Sequence, residues 1–326
     1  MDPRMKELID DVKEVSLTDG VFTREMILAL LKLDPKSEEC DYLGVAARDV
    51  ARVRGKNRGG VSTSIGIDLV PCSMSCKFCS LGEKWGLVKE SCMLPDERIV
   101  KIVKEKFNDG FKQFILRTTE FFDIDTLCKL GQKVRKEVPG QYVLTANTGE
   151  LTLEQAQKLK QSGFNGAYHA LRLREGVDTP IDPEVRISTM KAIKDAGLQL
   201  GSGVDPIGIE HTDDELADLM MFYTEIKPMG LCTMRRINVE GTPMEGIPEV
   251  DDDRMAQLAA IIRLIQGERN VIVQPPILKA MQYGANAIAI ETGANPRYNE
   301  HDDDVWTVIG HDEAVAIVKA AQYDLV

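Results

Sequence analysis

The chain has 326 residues with 43% apolar and 28% charged side chains, and its 40 basic against 52 acidic residues leave a net charge of −12 and a pI near 5.0. That balance is typical of a globular protein, argues against nucleic acid as the main partner, and contains no run approaching the roughly 18 apolar residues of a membrane span. The opening Met1-Asp-Pro-Arg-Met-Lys has no apolar signal core, and three of the seven cysteines are clustered, so a reducing cytoplasm without a disulfide framework is the expected setting.

In chain order, residues 5–57 read as amphipathic helices over 5–15, 23–33 and 40–54, with Thr23 opening the second after the turn Thr18-Asp-Gly20. From residue 61 strands and helices alternate. Strands are expected at 62–67, 113–116, 141–145, 166–170, 199–202, 231–237, 271–273 and 287–290. Helices are expected at 96–108, 124–137, 152–162, 183–196, 213–226, 251–265 and 278–283. Helix–Gly–strand joints recur at Gly110, Gly163, Gly197 and Gly284, where glycine serves as a left-handed helix cap. Repeated β–α units with short joints imply a parallel sheet under helices, and eight strands allow a complete (β/α)8 barrel. The expected organisation is a helical segment over 1–60 packed on a barrel over 61–326, with active residues where strands end and βα-loops begin.

The segment Cys72-Ser-Met-Ser-Cys76-Lys-Phe-Cys79 follows the first strand. A 4Fe–4S cluster held by protein alone takes four thiolates, so three in one tight loop leave one iron open to a small chelating ligand. Zinc is the alternative, but structural zinc sites favour four protein ligands in two C-x2-C halves, and the chain has no second C-x2-C. Cys40, Cys92, Cys128 and Cys232 share no local motif and read as small buried apolar residues.

C-x3-C with an aromatic, Phe78, before the last cysteine resembles the cluster loop of the radical S-adenosylmethionine (SAM) superfamily. The N-terminal helical segment, the barrel pattern and the late Gly284-Ala-Asn286 resemble the subgroup of biotin synthase, the FeFe-hydrogenase maturase and methylornithine synthase, over roughly residues 20–300. The resemblance implies that Cys72, Cys76 and Cys79 bind one 4Fe–4S cluster whose open iron chelates SAM, and that SAM is reductively cleaved to a 5′-deoxyadenosyl radical. It implies further that Phe78, Glu120, Asn147, Arg186, Ser202 and Gly203 surround SAM. Glu120 ends Arg117-Thr-Thr-Glu120, where relatives carry a Gly-Gly-Glu-like motif along the methionine amine; both glycines are threonines here. Arg186 matches an arginine that pairs with the SAM carboxylate, a partner suited to its planar fork. Asn147 lies near the ribose or methionine. Ser202 and Gly203 fall after the family's sixth strand, near the adenine, and Arg235-Arg236 fall on its seventh.

Two departures follow. Biotin synthase holds a second cluster on strand-borne cysteines and an arginine, but the matching positions here fall near Ile115–Leu116, Leu144, Gly201 and Pro275, so an auxiliary cluster and biotin synthesis by that route are not expected. Where relatives place short polar groups, at the family's fifth strand end, this chain offers His169, Arg172, Arg174 and Glu175. Inward-facing members of the set Arg117, Arg172, Arg174, Arg235 and Arg236 would favour an anionic substrate; internal pairing with glutamates is the alternative. His169 is a candidate for proton transfer or a satisfied core histidine. The expected activity is radical SAM hydrogen abstraction from a small anionic metabolite in cofactor or amino-acid biosynthesis, fed by a flavodoxin- or ferredoxin-type donor. Sulfur insertion of the lipoyl synthase kind, and a non-catalytic iron–sulfur scaffold, are the alternatives.

Overall fold

The computed structural model describes residues 1–297 and 308–326. Eight parallel strands close a barrel: β1 (Arg58–Gly66), β2 (Gln113–Arg117), β3 (Val143–Asn147), β4 (Gly166–Tyr168), β5 (Gln199–Ile207), β6 (Gly230–Arg235), β7 (Asn270–Gln274) and β8 (Ala287–Gly293). Each pairs with the next, and β1 returns to β8 over seven positions, Gly60 opposite Ala287 through Gly66 opposite Gly293. The barrel count corrects three expectations: Tyr168 ends the fourth strand, with His169 just after it, rather than the fifth; Ser202 and Gly203 lie within the fifth rather than after the sixth; and Arg235 ends the sixth rather than the seventh.

Ahead of the barrel lie α1 (Pro3–Leu17), α2 (Arg24–Leu31) and α3 (Glu38–Val53); between strands follow α4 (Asp96–Asn108), α5 (Ile124–Glu137), α6 (Leu153–Gln161), α7 (Pro183–Asp195), α8 (Asp213–Ile226), α9 (Asp252–Gln266) and α10 (Leu278–Gln282). The expected helices are all present, and α11 (His311–Ala320) was not anticipated. Side-chain oxygens of Asp2, Thr23, Ser37, Asp123, Thr152, Asp182, Thr212 and Asp251 cap eight of these N-termini, which is why the helices begin where they do. Among the described residues no helix is long and apolar enough to cross a membrane.

Strand alternation divides the barrel into two layers. Phe114 and Leu116, Leu144 and Ala146, Leu200, Leu231, Val271, Val273, Ile288 and Ile290 face the helices and are buried in one continuous core. Their neighbours Arg117, Asn147, Tyr168, Gly203, Asp205 and Met234 face the barrel interior, where polar groups survive because a cavity, not the core, adjoins them.

At the opposite end, the barrel floor is tied to the N-terminal helices. Asp324–Leu325 pair beside Arg58–Gly59, and Arg48 stacks on Tyr323 at 3.8 Å. Arg263, fully buried on α9, donates to the carbonyls of Gly284 at 2.7 Å, Gly267 at 2.8 Å and Arg269 at 2.6 Å, and to Asn286 Oδ1 at 2.6 Å. Gly284 sits at φ +110, and a Cβ there would lie 2.7 Å from Arg263 Cγ, so glycine is required twice over. Asn286 also accepts from Val271 N at 2.8 Å and donates to Arg58 O at 2.9 Å. The Gly284-Ala-Asn286 turn is therefore a clamp joining β1, β7, β8 and α9. Asn286→Ala strands a buried guanidinium and two backbone groups, and should cost about 3 kcal/mol or more in denaturant unfolding with the far-ultraviolet spectrum of the folded protein unchanged.

Candidate active site

The three cysteines descend from β1 on a loop that folds on itself. Ser75 N donates to Cys72 O at 3.1 Å, Cys79 N to Cys76 O at 2.9 Å, and Cys72 N to Leu81 O at 2.7 Å. Trp85 Nε1 anchors the loop to Cys79 O at 2.9 Å, and Lys77 holds it to Asp178. Cys72, Cys76, Cys79 and Phe78 all line one cavity at the C-terminal mouth of the barrel, the end at which barrel enzymes place their chemistry. Burial pushes the Cys72 thiol up, Cys76 to about 11 and Cys79 to about 12, so each carries a proton unless a metal displaces it. Among the described residues no three His, Cys, Asp or Glu side chains converge as they would on one ion. A cubane takes one thiolate per iron and needs no such convergence, so this donor set fits a cluster better than a single zinc.

Glu120, Asn147 and Arg186 line the same cavity and a smaller polar recess behind it. Arg186, at the first turn of α7, is 3% exposed and surrounded by acids. Its Nη1 donates to Glu150 Oε1 at 2.7 Å and lies 3.6 Å from Glu120; its Nε lies 3.4 Å from Glu175 and makes no hydrogen bond. Glu150 also receives Thr189 and lies 3.1 Å from His169 Nε2. Burial opposes ionisation of Glu150, but His169, Thr189 and Arg186 outweigh it and hold the carboxyl at about 2. Arg186 lies nearer to Glu150 and Glu175 than to Glu120, which stands in the cavity wall. His169 is thus part of the support behind Arg186, set in the polar recess and not in the wall of the main cavity.

The arginines separate by role. Arg236 is 2% exposed and donates to both oxygens of Glu210, at 2.7 and 3.2 Å, leaving Nη1 buried without a partner. Arg235 Nη1 turns to Asp252 at 2.7 Å and Val250 O at 3.1 Å. Arg174 turns outward to Glu215 at 2.8 Å and Glu210 O at 2.6 Å. Arg117 spans the interior to Glu291 at 2.5 Å, Ser64 at 3.0 Å and Ala294 O at 2.7 Å. Expected as substrate contacts, Arg174 and Arg235 are instead held by acids of α8 and of the α9 entry, which the fold brings to the same rim. Arg172 differs: its guanidinium faces the cavity, with Asp205 Oδ1 3.7 Å away and no side-chain hydrogen bond among the described residues.

Ser202 does not reach the cavity. It is fully buried on the outer face of β5, 2.8 Å from His169 O and 2.9 Å from the Tyr223 hydroxyl on α8, because it stands one residue out of step with Gly203. Gly203 does face inward, where a Cβ would lie 2.4 Å from Tyr168 Oη. Sequence reasoning missed Tyr168, Asp205 and Glu291. Asp205 was reachable, since it follows Gly203 by two positions on one strand and so shares its face.

The barrel interior holds Glu291 between Arg117 and Arg297, with Gln274 and Asn295 also donating to it. The two arginines overcome burial and hold Glu291 at about 2. Its contribution to stability is therefore complete above the ordinary carboxyl value of 4.5 and is lost as pH falls toward 2. Glu291→Gln should cost about 3–5 kcal/mol near neutrality and flatten the acid limb of the pH–stability profile between those values, as read by urea unfolding across pH.

No family model matches the chain. The biotin synthase of Buchnera aphidicola is 27% identical over 263 residues, 74% of this chain and 76% of that protein. The biotin synthase of Nitrosopumilus maritimus is 23% identical over 316 residues, 90% of this chain and 95% of that one. Among solved structures, the FeFe-hydrogenase maturase HydG from Carboxydothermus hydrogenoformans superposes with a TM-score of 0.79 at 15% identity, covering 98% of this chain and 79% of that chain. Methylornithine synthase, PylB, superposes with a TM-score of 0.78 at 17% identity, covering 95% of each. The barrel is the fold of HydG and PylB, and in sequence and cysteine loop the chain is similar to the biotin synthase-like group of the radical SAM superfamily.

Proposed function

We propose that this protein is a radical SAM enzyme that binds one 4Fe–4S cluster through Cys72, Cys76 and Cys79 and abstracts hydrogen from a small metabolite bound deeper in the barrel. The observation that carries this reading is the convergence of the three thiols, Phe78, Glu120, Asn147 and Arg172 on one cavity at the strand ends. When bound, a reduced cluster and SAM supply a one-electron route to breaking an unactivated C–H bond. The chain's own task is to position and to exclude water.

Glu120, unshared except for Arg186 at 3.6 Å, accepts a cationic amine; Asn147, two residues beyond the inward Thr145 on β3, offers both donor and acceptor at the same wall. Arg186 is fixed by Glu150 and Glu175, so its remaining donors are pre-set for a carboxylate. Gly203 makes room for the Tyr168 hydroxyl and Asp205 to pack against the inner wall. On the substrate side, Arg172 makes no side-chain hydrogen bond among the described residues and so serves as the anion contact, whereas Arg236 is held at the rim by both oxygens of Glu210. The positions that match biotin synthase's second-cluster ligands, near Ile115–Leu116, Leu144, Gly201 and Pro275, offer no suitable ligand, which favours hydrogen abstraction over insertion of sulfur from an auxiliary cluster. A cytoplasmic flavodoxin or ferredoxin as electron source, and a place in cofactor or amino-acid biosynthesis, complete the reading.

Anaerobic reconstitution should yield about four irons per chain, and dithionite reduction with SAM should release 5′-deoxyadenosine. A triple Cys72/Cys76/Cys79→Ala variant that keeps its full iron, or about eight irons in the wild type, rejects the assignment. Arg172→Lys should keep the iron content but lower deuterium transfer from a deuterated cell extract into 5′-deoxyadenosine by about tenfold or more, since lysine lacks paired planar donors. Undiminished transfer would remove Arg172 from the substrate site.

A further inference from the structure

Resting on that reading of the cavity, its inner wall carries a second feature that an anion alone does not explain. Asp205 is 3% exposed and lines the cavity, yet its Oδ1 accepts no hydrogen bond. Its other oxygen, Oδ2, receives Tyr168 Oη at 2.6 Å. Burial and the neighbouring carboxylate keep the Tyr168 hydroxyl protonated, so it acts as a donor that orients Asp205 and leaves Oδ1 pointing free. Arg172 Nε, at 3.7 Å, is too far to satisfy that oxygen by a hydrogen bond. A buried, unshared carboxylate oxygen is costly, and native proteins keep such a group where a ligand completes it. Gly203 permits this pairing: a Cβ there would fall 2.4 Å from Tyr168 Oη and 2.7 Å from Asp205 Oδ2, so a side chain would displace the pair.

We propose that Asp205, held by Tyr168, is a subsite for a cationic nitrogen beside the Arg172 anion site, so that the ligand is a small zwitterion, an ammonium carboxylate. An ammonium group supplies the N–H donors that Oδ1 lacks, and a carboxylate supplies the acceptors that the Arg172 guanidinium lacks. The two complementary groups stand 3.7 Å apart, which restricts the ligand's own charges to the same or adjacent carbons. The alternating four-charge ring formed on binding leaves none of the buried charges unpaired, which neither a simple carboxylate nor a simple amine achieves. Asp205 is a specificity-determining contact in this assignment, and Tyr168 is its positioning residue.

The test uses the reconstituted protein with SAM present and calorimetric titration of three matched sets: the common α-amino acids, the carboxylates that lack their amine, and the amines that lack their carboxylate. At least one ammonium carboxylate should bind about tenfold or more tightly than both of its matched analogues. Asp205→Asn should erase the preference over the amine-free carboxylate, and Tyr168→Phe should reduce it by a smaller factor, with the melting temperature checked for each. Binding of no ammonium carboxylate, equal binding of the amine-free set, or an unchanged preference in a folded Asp205→Asn overturns the proposal. Where Asp205→Asn does not fold, the wild-type panel and Tyr168→Phe decide. Selective binding without SAM cleavage supports the subsite and sinks the radical reading; SAM cleavage without selectivity does the reverse.

Discussion

Everything at the active site depends on the return of β1 to β8. Parallel pairing over seven consecutive positions converts an open sheet into a closed barrel, and closure obliges all eight C-terminal strand ends to meet at one mouth. The cysteine loop leaves from the end of β1, Glu120 follows β2, Asn147 ends β3, Tyr168 and Arg172 follow β4, Asp205 lies on β5 and Met234 on β6. Their separation in sequence exceeds a hundred residues, and only closure makes them neighbours. The same closure gives each strand one face toward helices and one toward the interior, so apolar residues are drawn to one layer and charges are tolerated in the other.

The interior tolerates those charges because nearly all are neutralised in place. Glu291 lies between two arginines, Glu150 and Glu175 face Arg186, and Glu210 receives Arg236. Breaking any such pair leaves an uncompensated buried ion, which is far more costly than the pair is favourable. This pairing also sorts structure from function. Arg174 and Arg235 are held by acids at hydrogen-bond distance, whereas Arg172 has no side-chain hydrogen bond among the described residues and Asp205 Oδ1 has no donor. Net charge is no guide here: the molecule as a whole is acidic while its cavity is locally balanced.

The N-terminal helices and the chain's last residues act at the other end of the barrel. Arg263, Asn286 and Gly284 bind α9 to the floor, and Tyr323 packs on Arg48 of α3. The mouth therefore stands on a rigid base, and the loops that carry the cysteines can be shaped by local hydrogen bonds without destabilising the barrel.

The alternation of strand and helix patterns was legible in the sequence because each unit buries one face, which stamps a period of about two or about 3.6 on the chain. The cysteine loop was equally legible, since three cysteines within eight residues form a local pattern that needs no tertiary contact to be seen. Helix α11 was not legible: it follows a stretch without helical periodicity and is secured by tertiary contacts with the barrel. Side-chain direction at the rim was not legible either. The sequence placed Arg172, Arg174, Arg235 and Arg236 near the mouth, but which acid each would meet depends on how α8 and the α9 entry dock beside it, contacts made between residues far apart in the chain. Ser202 and Asp205 make the same point on a single strand: composition marks both as polar, the pleat sends one to the helices and the other to the cavity, and only the closed register decides which face is inside.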